Sequence, residues 1–401
     1  MVMNQVGPPV RGHNCFGRDA FVDLLWEKLS SGHVLLASPR RFGKTSVMYK
    51  LLDEPRWGYR MLLADLEDLA EPAEFVTCLI ERTAKYQQLG KAIHDLADLP
   101  RAAWSRLRAS IEEVELYKLR VKLRERLRPH WRESGAELFR KLADTTHTTV
   151  LMLDEFPMMI DRMSRSSLHR EDARTLLRWL RSVRQSPEFG NIRFLIAGSV
   201  GIGGILNQLD EISAINDLEQ LRLEAFSPAV AIAFLDELSS AHGLPLSSQA
   251  KRTVIRLIGI LTPYFIQVLF SELHKAHAQD KLAITPKVIE RIYHEKVLGV
   301  ECKTYFDHYY ARLRQYYPSA VEKAIKRLLR ELAAAGPLPE DVCYQAFRSE
   351  NPVAGWEDFR RLMVELENDF YIRLDSRGEY EFACKILRDW WLRHHGMSNI
   401  V

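Results

Sequence analysis

Five short runs rich in valine, leucine and isoleucine, separated by helical patterns, constrain the fold of this chain more than any other feature. The runs are "HVLLA", "YRMLLADL", "TTVLMLDEF", "IRFLIAGS" and "LEQLRLE". Continuous apolar runs of this length are typical of strands buried on both faces, which form parallel sheets covered by helices. The alternation therefore predicts an α/β fold with a five-stranded parallel sheet.

After about residue 224 the strand patterns stop and helical patterns follow. The stretch "FSPAVAIAFLDELSSAHG" predicts a helix with Ser227 as N-cap, Pro228 as first residue and Gly243 beyond its end. Further on, three helical patterns precede "YIRLDSRGEYEF", which reads as two short strands around a turn at Gly378. Those three patterns lie near 319–335, 338–349 and 356–367.

Three helices followed by a hairpin suggest a winged helix. We therefore predict three domains: a core over 1–224, an α-helical lid over 225–300 and a C-terminal winged-helix domain over 301–401. A helical insertion over about 84–147 separates the second and third predicted strands. Its basic residues are spread around a helix, which indicates either a solvated surface or an anionic partner, nucleic acid or protein. They are Lys118, Arg120, Lys122, Arg124, Arg126, Arg128 and Arg132.

Composition limits the cellular compartment and the classes of binding partner that we expect. The 56 basic and 53 acidic residues leave a formal charge of +3, too small an excess to indicate nucleic-acid binding by itself. The N-terminal residues lack the apolar core of a signal peptide, and no run approaches the ~18 apolar residues of a membrane span. The five cysteines are scattered without a CxxC spacing. We expect a cytoplasmic protein with reduced thiols, without a metal–cysteine site and without membrane association.

The stretch "HVLLASPRRFGKTSVMYKLLD" has the order strand, loop, helix of a phosphate-binding loop. Such a loop aims backbone N–H groups and an ammonium at the phosphates. Ser38 stands where the pattern G-x-x-x-x-G-K-[ST] has its first glycine, a change that a small residue can accommodate. Lys44 would supply the ammonium and Thr45 a hydroxyl ligand for Mg²⁺. The predicted nucleotide-binding residues of the loop are Ser38, Pro39, Arg40, Arg41, Phe42, Gly43, Lys44, Thr45 and Ser46.

The third apolar run ends in two carboxylates, Asp154 and Glu155. Neighbouring side chains of a strand point in different directions, so the two can serve different purposes. Asp154 would hold the magnesium ion with Thr45, and Glu155 would orient or deprotonate an attacking water. Loop and carboxylates together predict a site for ATP or ADP with Mg²⁺.

These residues resemble a known family. "FGRDAFVDLLWEKLSSGHVLLASPRRFGKTSVMYKL" is similar to the opening of the archaeal-type ATPases of the STAND/AAA+ superfamily. The resemblance continues through "LMLDEFP", "RFLIAGS", "TPYFIQ" and "YEFACKILRDWW", from about residue 14 to 395, and is weakest in the insertion. It implies a P-loop ATPase core followed by the lid and the winged helix.

The resemblance also implies roles for individual residues. Phe16, Gly17 and Arg18 would lie at the adenine or ribose, and Ser199 would be a sensor of the γ-phosphate or the attacking water. Pro263 and Tyr264 in the lid would lie near the base. Each assignment has a structural alternative: Phe16 as a core contact, Ser199 as a helix N-cap and Pro263 as a helix start.

Two departures from ring-forming AAA+ enzymes point to slow turnover. The span "FLIAGSVGIGGILNQLDEISAINDLEQL", where such enzymes carry an arginine finger, contains no Arg, Lys or His, and "GILTPYFIQ" lacks a second sensor arginine. A finger contributes on the order of 10³–10⁵ in rate. Arg40 and Arg41 remain as candidates acting in cis. Slow hydrolysis suits a switch better than a motor.

The sequence leaves three functions open, of which the third, a scaffold that keeps nucleotide without hydrolysing it, is disfavoured by Glu155. The first is a slowly hydrolysing ATPase that acts as a switch controlling assembly, possible as a homo-oligomer, or signalling to a protein partner. The rival is a DNA-associated ATPase that uses the basic insertion and the winged helix. The presumed recognition helix, "WEDFRRLMVELEND", is acidic, which disfavours DNA. "ILRDWWLRHHG" is basic, but Trp390 and Trp391 are expected to pack against the lid.

Overall fold

The chain divides into two compact units. The computed structural model describes residues 2–84, 113–143, 146–198 and 201–396. The first, the core unit, comprises Arg18–Ser38 and Lys44–Leu223. The second, the C-terminal unit, comprises Met1–Gly17, Pro39–Gly43 and Glu224–Val401. The tip of the predicted phosphate loop thus groups with the C-terminal unit, whereas its flanks belong to the core unit. The finer division into core, lid and winged helix stays a prediction.

A parallel five-stranded sheet forms the centre of the core unit, as the apolar runs predict. Its strands are β1 (His33–Ala37), β2 (Tyr59–Asp65), β3 (Thr148–Asp154), β4 (Ile192–Gly198) and β5 (Leu218–Leu221). The order across the sheet is β2-β3-β4-β1-β5, and every described pairing is parallel. The carboxyl ends of all strands therefore lie along one edge, which gathers the residues that follow them.

Helices cover this sheet. They are α1 (Asp19–Ser31), α2 (Lys44–Asp53), α3 (Pro72–Ala84), α4 (Glu113–Leu127), α5 (Trp131–Ala143), α6 (Phe156–Arg165), α7 (Arg170–Gln185) and α8 (Ile202–Gln208). The predicted insertion is helical at α4 and α5, and its residues 85–112 lie outside the described residues. Among the described residues, no helix combines the length and apolar character needed to cross a membrane.

The basic residues of the insertion do not all face solvent. Arg120 makes two hydrogen bonds to Glu81, at 2.7 and 2.6 Å, and Arg128 makes two to Glu71, at 2.9 and 2.8 Å. Arg124 donates to Glu74 at 3.1 Å. Glu71 and Glu81 are buried, and a buried carboxylate without a cation is strongly destabilising.

The arginines at 120, 124 and 128 are spaced four residues apart and therefore share one face of the chain around α4. The seven basic residues together are still spread around the helix, but these three lie on the face that meets the carboxylates. Arg120 and Arg124 thus have partners within the core unit.

The C-terminal unit is mostly helical. Its helices are α9 (Pro228–His242), α10 (Ser248–Ile258), α11 (Pro263–Asp280), α12 (Pro286–Ile292), α13 (Thr304–Tyr316), α14 (Ser319–Ala335), α15 (Glu340–Glu350), α16 (Trp356–Asn368) and α17 (Lys385–His395). The predicted caps of α9 are confirmed: Ser227 accepts from the Val230 amide, and Gly243 is left-handed with φ 62°. Strands β6 (Ile372–Leu374) and β7 (Tyr380–Phe382) form the predicted antiparallel hairpin.

Stacked aromatic rings form much of the core of the C-terminal unit. Trp390 stacks on Phe306 with ring centroids 5.7 Å apart, and Phe306 stacks on Phe265 of α11 at 5.6 Å. Trp390 and Trp391 are both fully buried. The expectation that the two tryptophans serve packing is confirmed, and the stack links α17 to the predicted lid.

The acidic residues of α16 and its C-cap are largely engaged within the C-terminal unit. Asp369 is buried beside Arg312, and Asp358 accepts the Gly355 amide at 3.1 Å. Burial raises the pKa of Glu365, against a hydrogen bond from Tyr317. Counting carboxylates in the sequence therefore overstates the negative charge of the outer face of this helix.

The arginines around the hairpin are engaged in the same way. Arg373 pairs with Glu381 at 2.6 Å and Arg377 with Asp375 at 3.1 Å. Each is an ion pair within the hairpin, so the hairpin does not present a row of uncompensated cations. At the predicted winged helix, several charges of both signs are thus paired within the C-terminal unit.

A buried ion pair beside β5 should carry measurable stability. Arg184 of α7 donates to Asp217 at 2.7 and 2.9 Å, and its side chain is 2% exposed. Asp217→Ala should lower the free energy of unfolding by about 3 kcal/mol, because a buried guanidinium loses its counter-charge. Denaturant unfolding of the full chain measures this.

The matched control is Glu188→Ala, which removes a half-exposed partner of Arg140 at 2.7 Å and should cost less than ~1 kcal/mol. Burial alone would raise the pKa of Asp217, but Arg184 lowers it. The stabilisation should therefore be present above about pH 4 and decline as the pH falls further. Equal losses in the two variants would contradict the assignment.

Candidate functional site

The loop that follows β1 shows why a serine can begin it. Ser38 Oγ accepts a hydrogen bond from the Leu223 amide at 2.5 Å. The Ser38 backbone is not left-handed, so the turn does not require a glycine at this position. The serine instead fixes the start of the loop to the segment after β5. That departure from the phosphate-loop pattern is thus explained by a hydrogen bond that glycine cannot make.

The predicted phosphate and metal residues come together in the core unit. Lys44 is the first residue of α2, is buried, and its Nζ donates to the Ser38 carbonyl at 2.5 Å. Thr45 Oγ1 donates to Asp154 Oδ2 at 2.7 Å. Ser46 is buried in the same turn. A helix N-terminus with an ammonium beside it is a favourable place for an anion.

Burial sets the ionisation of Asp154. This side chain is 5% exposed, and burial raises its pKa to about 6, although the hydrogen bond from Thr45 opposes the rise. Nearby Glu155 raises the pKa further and Lys44 lowers it. A carboxylate in this state gains from a cation placed beside it, because the cation restores the charged form.

Glu155 lies at the turn from β3 into α6. Its φ of 52° is left-handed, which is uncommon for a residue other than glycine. Its amide donates to Asp154 Oδ1 at 3.1 Å. The turn separates the side chains of the two neighbouring acids, as expected if they have different functions. A left-handed backbone at a candidate general base is the kind of strain that functional sites retain.

Asp65 is a third carboxylate at this edge, and sequence reasoning missed it. It pairs in register with Asp154, and the Leu66 amide donates to the Asp154 carbonyl at 3.0 Å. The alternate positions Ala64 and Leu153 belong to one apolar cluster on the opposite sheet face, so Asp65 and Asp154 share the other face. The signal in the sequence is an aspartate near the end of a predicted strand, "LLADL".

The donor set at this edge fits a magnesium ion. Mg²⁺ prefers oxygen ligands and is held in nucleotide sites by few protein groups together with phosphates. The Thr45 hydroxyl and the buried Asp154 carboxylate are oxygen donors already in contact at 2.7 Å. We therefore regard Thr45 and Asp154 as the residues that would hold Mg²⁺ with a bound nucleotide.

The loop tip is organised by contacts within the C-terminal unit. Arg41 has φ 71°, its Nη1 donates to the Gly7 carbonyl at 3.0 Å, and its guanidinium lies 4.4 Å from the centre of the Tyr264 ring. Phe42 is buried and meets Phe370 edge to face at 4.9 Å. Pro39 is buried and Arg40 is half-buried.

The predicted adenine-side residues have packing partners of their own. Phe16 packs on Phe234 of α9 at 5.4 Å and on Phe226 at 6.5 Å, as the alternative of a core contact predicts. Gly17 has φ 65°, and an added Cβ would come within 2.7 Å of Val230, so only glycine fits. Arg18 is buried at the start of α1 in the core unit.

In the predicted lid, Pro263 is the first residue of α11, behind an N-cap at Thr262, as the alternative of a helix start predicts. Tyr264 is buried, and its hydroxyl donates to the Tyr305 carbonyl at 3.2 Å. Burial raises the pKa of Tyr264 to about 12. Ser199, the predicted sensor, lies outside the described residues.

Two solved structures are similar to this chain over nearly its whole length. A Walker-type ATPase of Pyrococcus abyssi is similar with a TM-score of 0.62 over 96% of this chain and 99% of that one, at 16% identity. The ORC2 protein of Aeropyrum pernix, solved as ADPNP–ADP complexes, is similar with a TM-score of 0.53 over 97% and 94%, at 14% identity. The chain matches no protein-family model and no curated protein. The likeness shows that this chain shares the fold of these two structures.

The titration of Asp154 predicts a pH dependence of magnesium action. With a pKa of about 6, Asp154 is charged above that pH and protonated below it. The tightening of ATP binding by Mg²⁺ should therefore be constant above about pH 7 and decline by up to about tenfold per pH unit below 6. Calorimetric titration with and without Mg²⁺ across this range measures it.

Asp154→Asn is the control, because the terminal phosphate itself titrates with a pKa of about 6. The variant retains the phosphate's titration but lacks the carboxylate. A pH profile identical in the variant and the wild type would show that Asp154 does not carry the effect.

Proposed function

We propose that this protein binds ATP with Mg²⁺ and hydrolyses it slowly, acting as a nucleotide-dependent switch that controls assembly or signalling to a protein partner. The observation that carries the proposal is the Thr45–Asp154 hydrogen bond of 2.7 Å, which joins a phosphate loop to the strand end bearing Glu155. An accidental GKT turn would not be expected to meet a buried carboxylate at the edge of a parallel sheet.

Each residue has a distinct role in the proposed reaction. Lys44 neutralises the β- and γ-phosphates, and backbone N–H groups of the loop and of the first turn of α2 bind their oxygens. Thr45 and Asp154 hold Mg²⁺, which stabilises the charge that develops on the phosphates. Glu155 takes a proton from the attacking water. Phe16, Gly17, Arg18, Pro263 and Tyr264 remain candidates for the adenosine side, and Ser199 for the sensor.

We expect slow ATP hydrolysis because the chain lacks an arginine finger where ring-forming enzymes carry one. The span between β4 and β5 carries no cationic side chain, so a neighbouring copy would receive no arginine from it. Arg41 already donates to Gly7 and lies on Tyr264. Arg40 and Arg41 are the two loop candidates for an arginine acting in cis. A state that lasts long before hydrolysis suits a switch.

The structure does not favour the DNA-associated rival. Arg120, Arg124 and Arg128 of the insertion contact buried or half-buried carboxylates, so neutralising phosphates would compete with these pairs. The arginines of the hairpin are paired as well. The insertion still exposes several cations, among them Lys118, Lys122 and Arg126.

Lys44→Ala and Glu155→Gln should separate binding from hydrolysis. At Mg–ATP near 100 times the dissociation constant, ligand linkage stabilises the wild type by about 2.7 kcal/mol. Lys44→Ala should abolish this shift because the ammonium is lost, whereas Glu155→Gln should retain it and release no phosphate, because an amide cannot accept the proton. Thermal unfolding and a phosphate-release assay give the two readouts.

Each variant is the control of the other, since both replace one charged side chain of the same site. A full thermal shift in Lys44→Ala would refute the phosphate-loop assignment. Wild-type phosphate release by Glu155→Gln would refute the assigned base and leave the binding site intact.

The proposed switch and the DNA-associated rival differ in the turnover that we expect of them. We expect fewer than about one ATP per minute, far below the ~1–10³ s⁻¹ of typical enzymes, and little response to duplex DNA. Steady-state assays with and without DNA at physiological salt measure this. Sizing with ADP, with a slowly hydrolysed ATP analogue and without nucleotide should show an assembly state that depends on the nucleotide. A hundredfold stimulation by DNA would favour the rival.

A further inference from the structure

Arg41 is the strained residue of the phosphate loop. Its φ of 71° is left-handed, whereas Ser38, which replaces the usual glycine, is not. A side chain larger than hydrogen disfavours this conformation enough to shift a local equilibrium roughly tenfold. A loop of this sequence would therefore be expected to leave the left-handed state unless something holds it there.

Two contacts of the Arg41 side chain hold it. Nη1 donates to the Gly7 carbonyl at 3.0 Å, and the guanidinium lies over the Tyr264 ring at 4.4 Å. A buried cation–π contact and a charge-assisted hydrogen bond together are sufficient to offset the strain.

Both partners of Arg41 are themselves fixed. Tyr264 is buried and donates to the Tyr305 carbonyl at 3.2 Å. The segment before Gly7 is held by the Asn4 amide, which donates to His242 Nε2 at 3.0 Å, and by the Met3 amide, which donates to Asn14 at 2.8 Å. The Arg41 side chain is therefore tied to positions that do not depend on the loop.

The backbone of Arg41 determines where the next N–H groups point. Arg41 and Gly43 are both left-handed, with φ 71° and 97°, and Lys44 begins α2 directly afterwards. Alternation of this kind turns successive N–H groups toward one side, which forms a concave anion site. Phe42, between them, is fixed by its contact with Phe370 at 4.9 Å. The loop thus presents its amides only while Arg41 stays left-handed.

We infer that Arg41 is a positioning residue for the triphosphate: its side chain, held by Gly7 and Tyr264, keeps the loop backbone in the anion-binding conformation. This inference rests on the proposed nucleotide function. It replaces the role of a cis finger for Arg41, because the guanidinium that would contact the γ-phosphate is the group that holds the loop. Arg41 then governs affinity, whereas a finger governs the chemical step.

The test compares two substitutions that delete the same side chain. Arg41→Ala loses both contacts and retains the penalty on a left-handed backbone, so Mg–ATP should bind about tenfold more weakly. Arg41→Gly loses the same contacts but adopts the left-handed state freely, so its affinity should lie at least about threefold above that of Arg41→Ala. Titration of the full chain with Mg–ATP gives the dissociation constants.

Tyr264 provides an independent test. Mg–tripolyphosphate has no base, so a change in its binding cannot come from an adenine contact. Tyr264→Ala should weaken tripolyphosphate binding more than Tyr264→Phe does, since the phenylalanine variant retains the ring under Arg41 and loses only the hydrogen bond to Tyr305. Addition of Tyr264→Ala to Arg41→Ala should have less effect than it has alone, since the two residues act through one contact.

The outcomes separate the possibilities. Wild-type affinity in both Arg41 variants with reduced phosphate release would assign Arg41 as a finger and overturn the inference. Equal weakening in Arg41→Ala and Arg41→Gly would show that the backbone conformation is not the cause and would also overturn it. Absence of Mg–ATP binding by the wild type would instead overturn the proposed function itself, and the inference with it. Unfolding midpoints measured without nucleotide check that both variants are folded at the temperature of the titration.

Discussion

The contact between Thr45 and Asp154 is the interaction on which the rest of the core unit depends. Thr45 follows β1 and Asp154 ends β3, and β4 lies between these strands in the sheet. The hydrogen bond therefore spans an intervening strand, which is possible only because parallel strands end along one edge. The Ser38 hydroxyl adds a second tie, from the same loop to the segment after β5. Together, the two hydrogen bonds attach the two ends of the loop to the strand ends on either side of β1.

Much of this architecture could be predicted from the sequence because it depends on local patterns. The apolar runs identified all five strands of the parallel sheet, since strands covered by helices are mostly apolar. Ser227 and Gly243 marked the ends of α9 because caps act within one turn. The loop pattern and the apolar run that ends in Asp154 and Glu155 predicted the site residues, and the structure brings Thr45 and Asp154 into contact.

Other features could not be predicted, because they depend on residues distant in sequence. The arginines of the insertion resembled a free basic surface, but Glu71 and Glu81, which pair with two of them, lie some 40 to 60 residues earlier. The sequence suggests that Asp369 is a surface charge, whereas in the structure it is buried beside Arg312. The left-handed backbone of Arg41 has no local signature at all, since the contacts that hold it come from Gly7 and Tyr264.

The edge-to-face contact of Phe42 with Phe370 has a thermodynamic consequence. Phe42 precedes the glycine of the phosphate loop, and Phe370 precedes the hairpin of the C-terminal unit. If a nucleotide shifts the position of Phe42, the free energy of that shift is shared with Phe370. If the chain binds nucleotide as proposed, such coupling is reciprocal: a molecule whose binding displaces Phe370 would change nucleotide affinity by the same factor by which nucleotide changes the affinity of that molecule. The contact between the two rings would then couple the hairpin region to the loop.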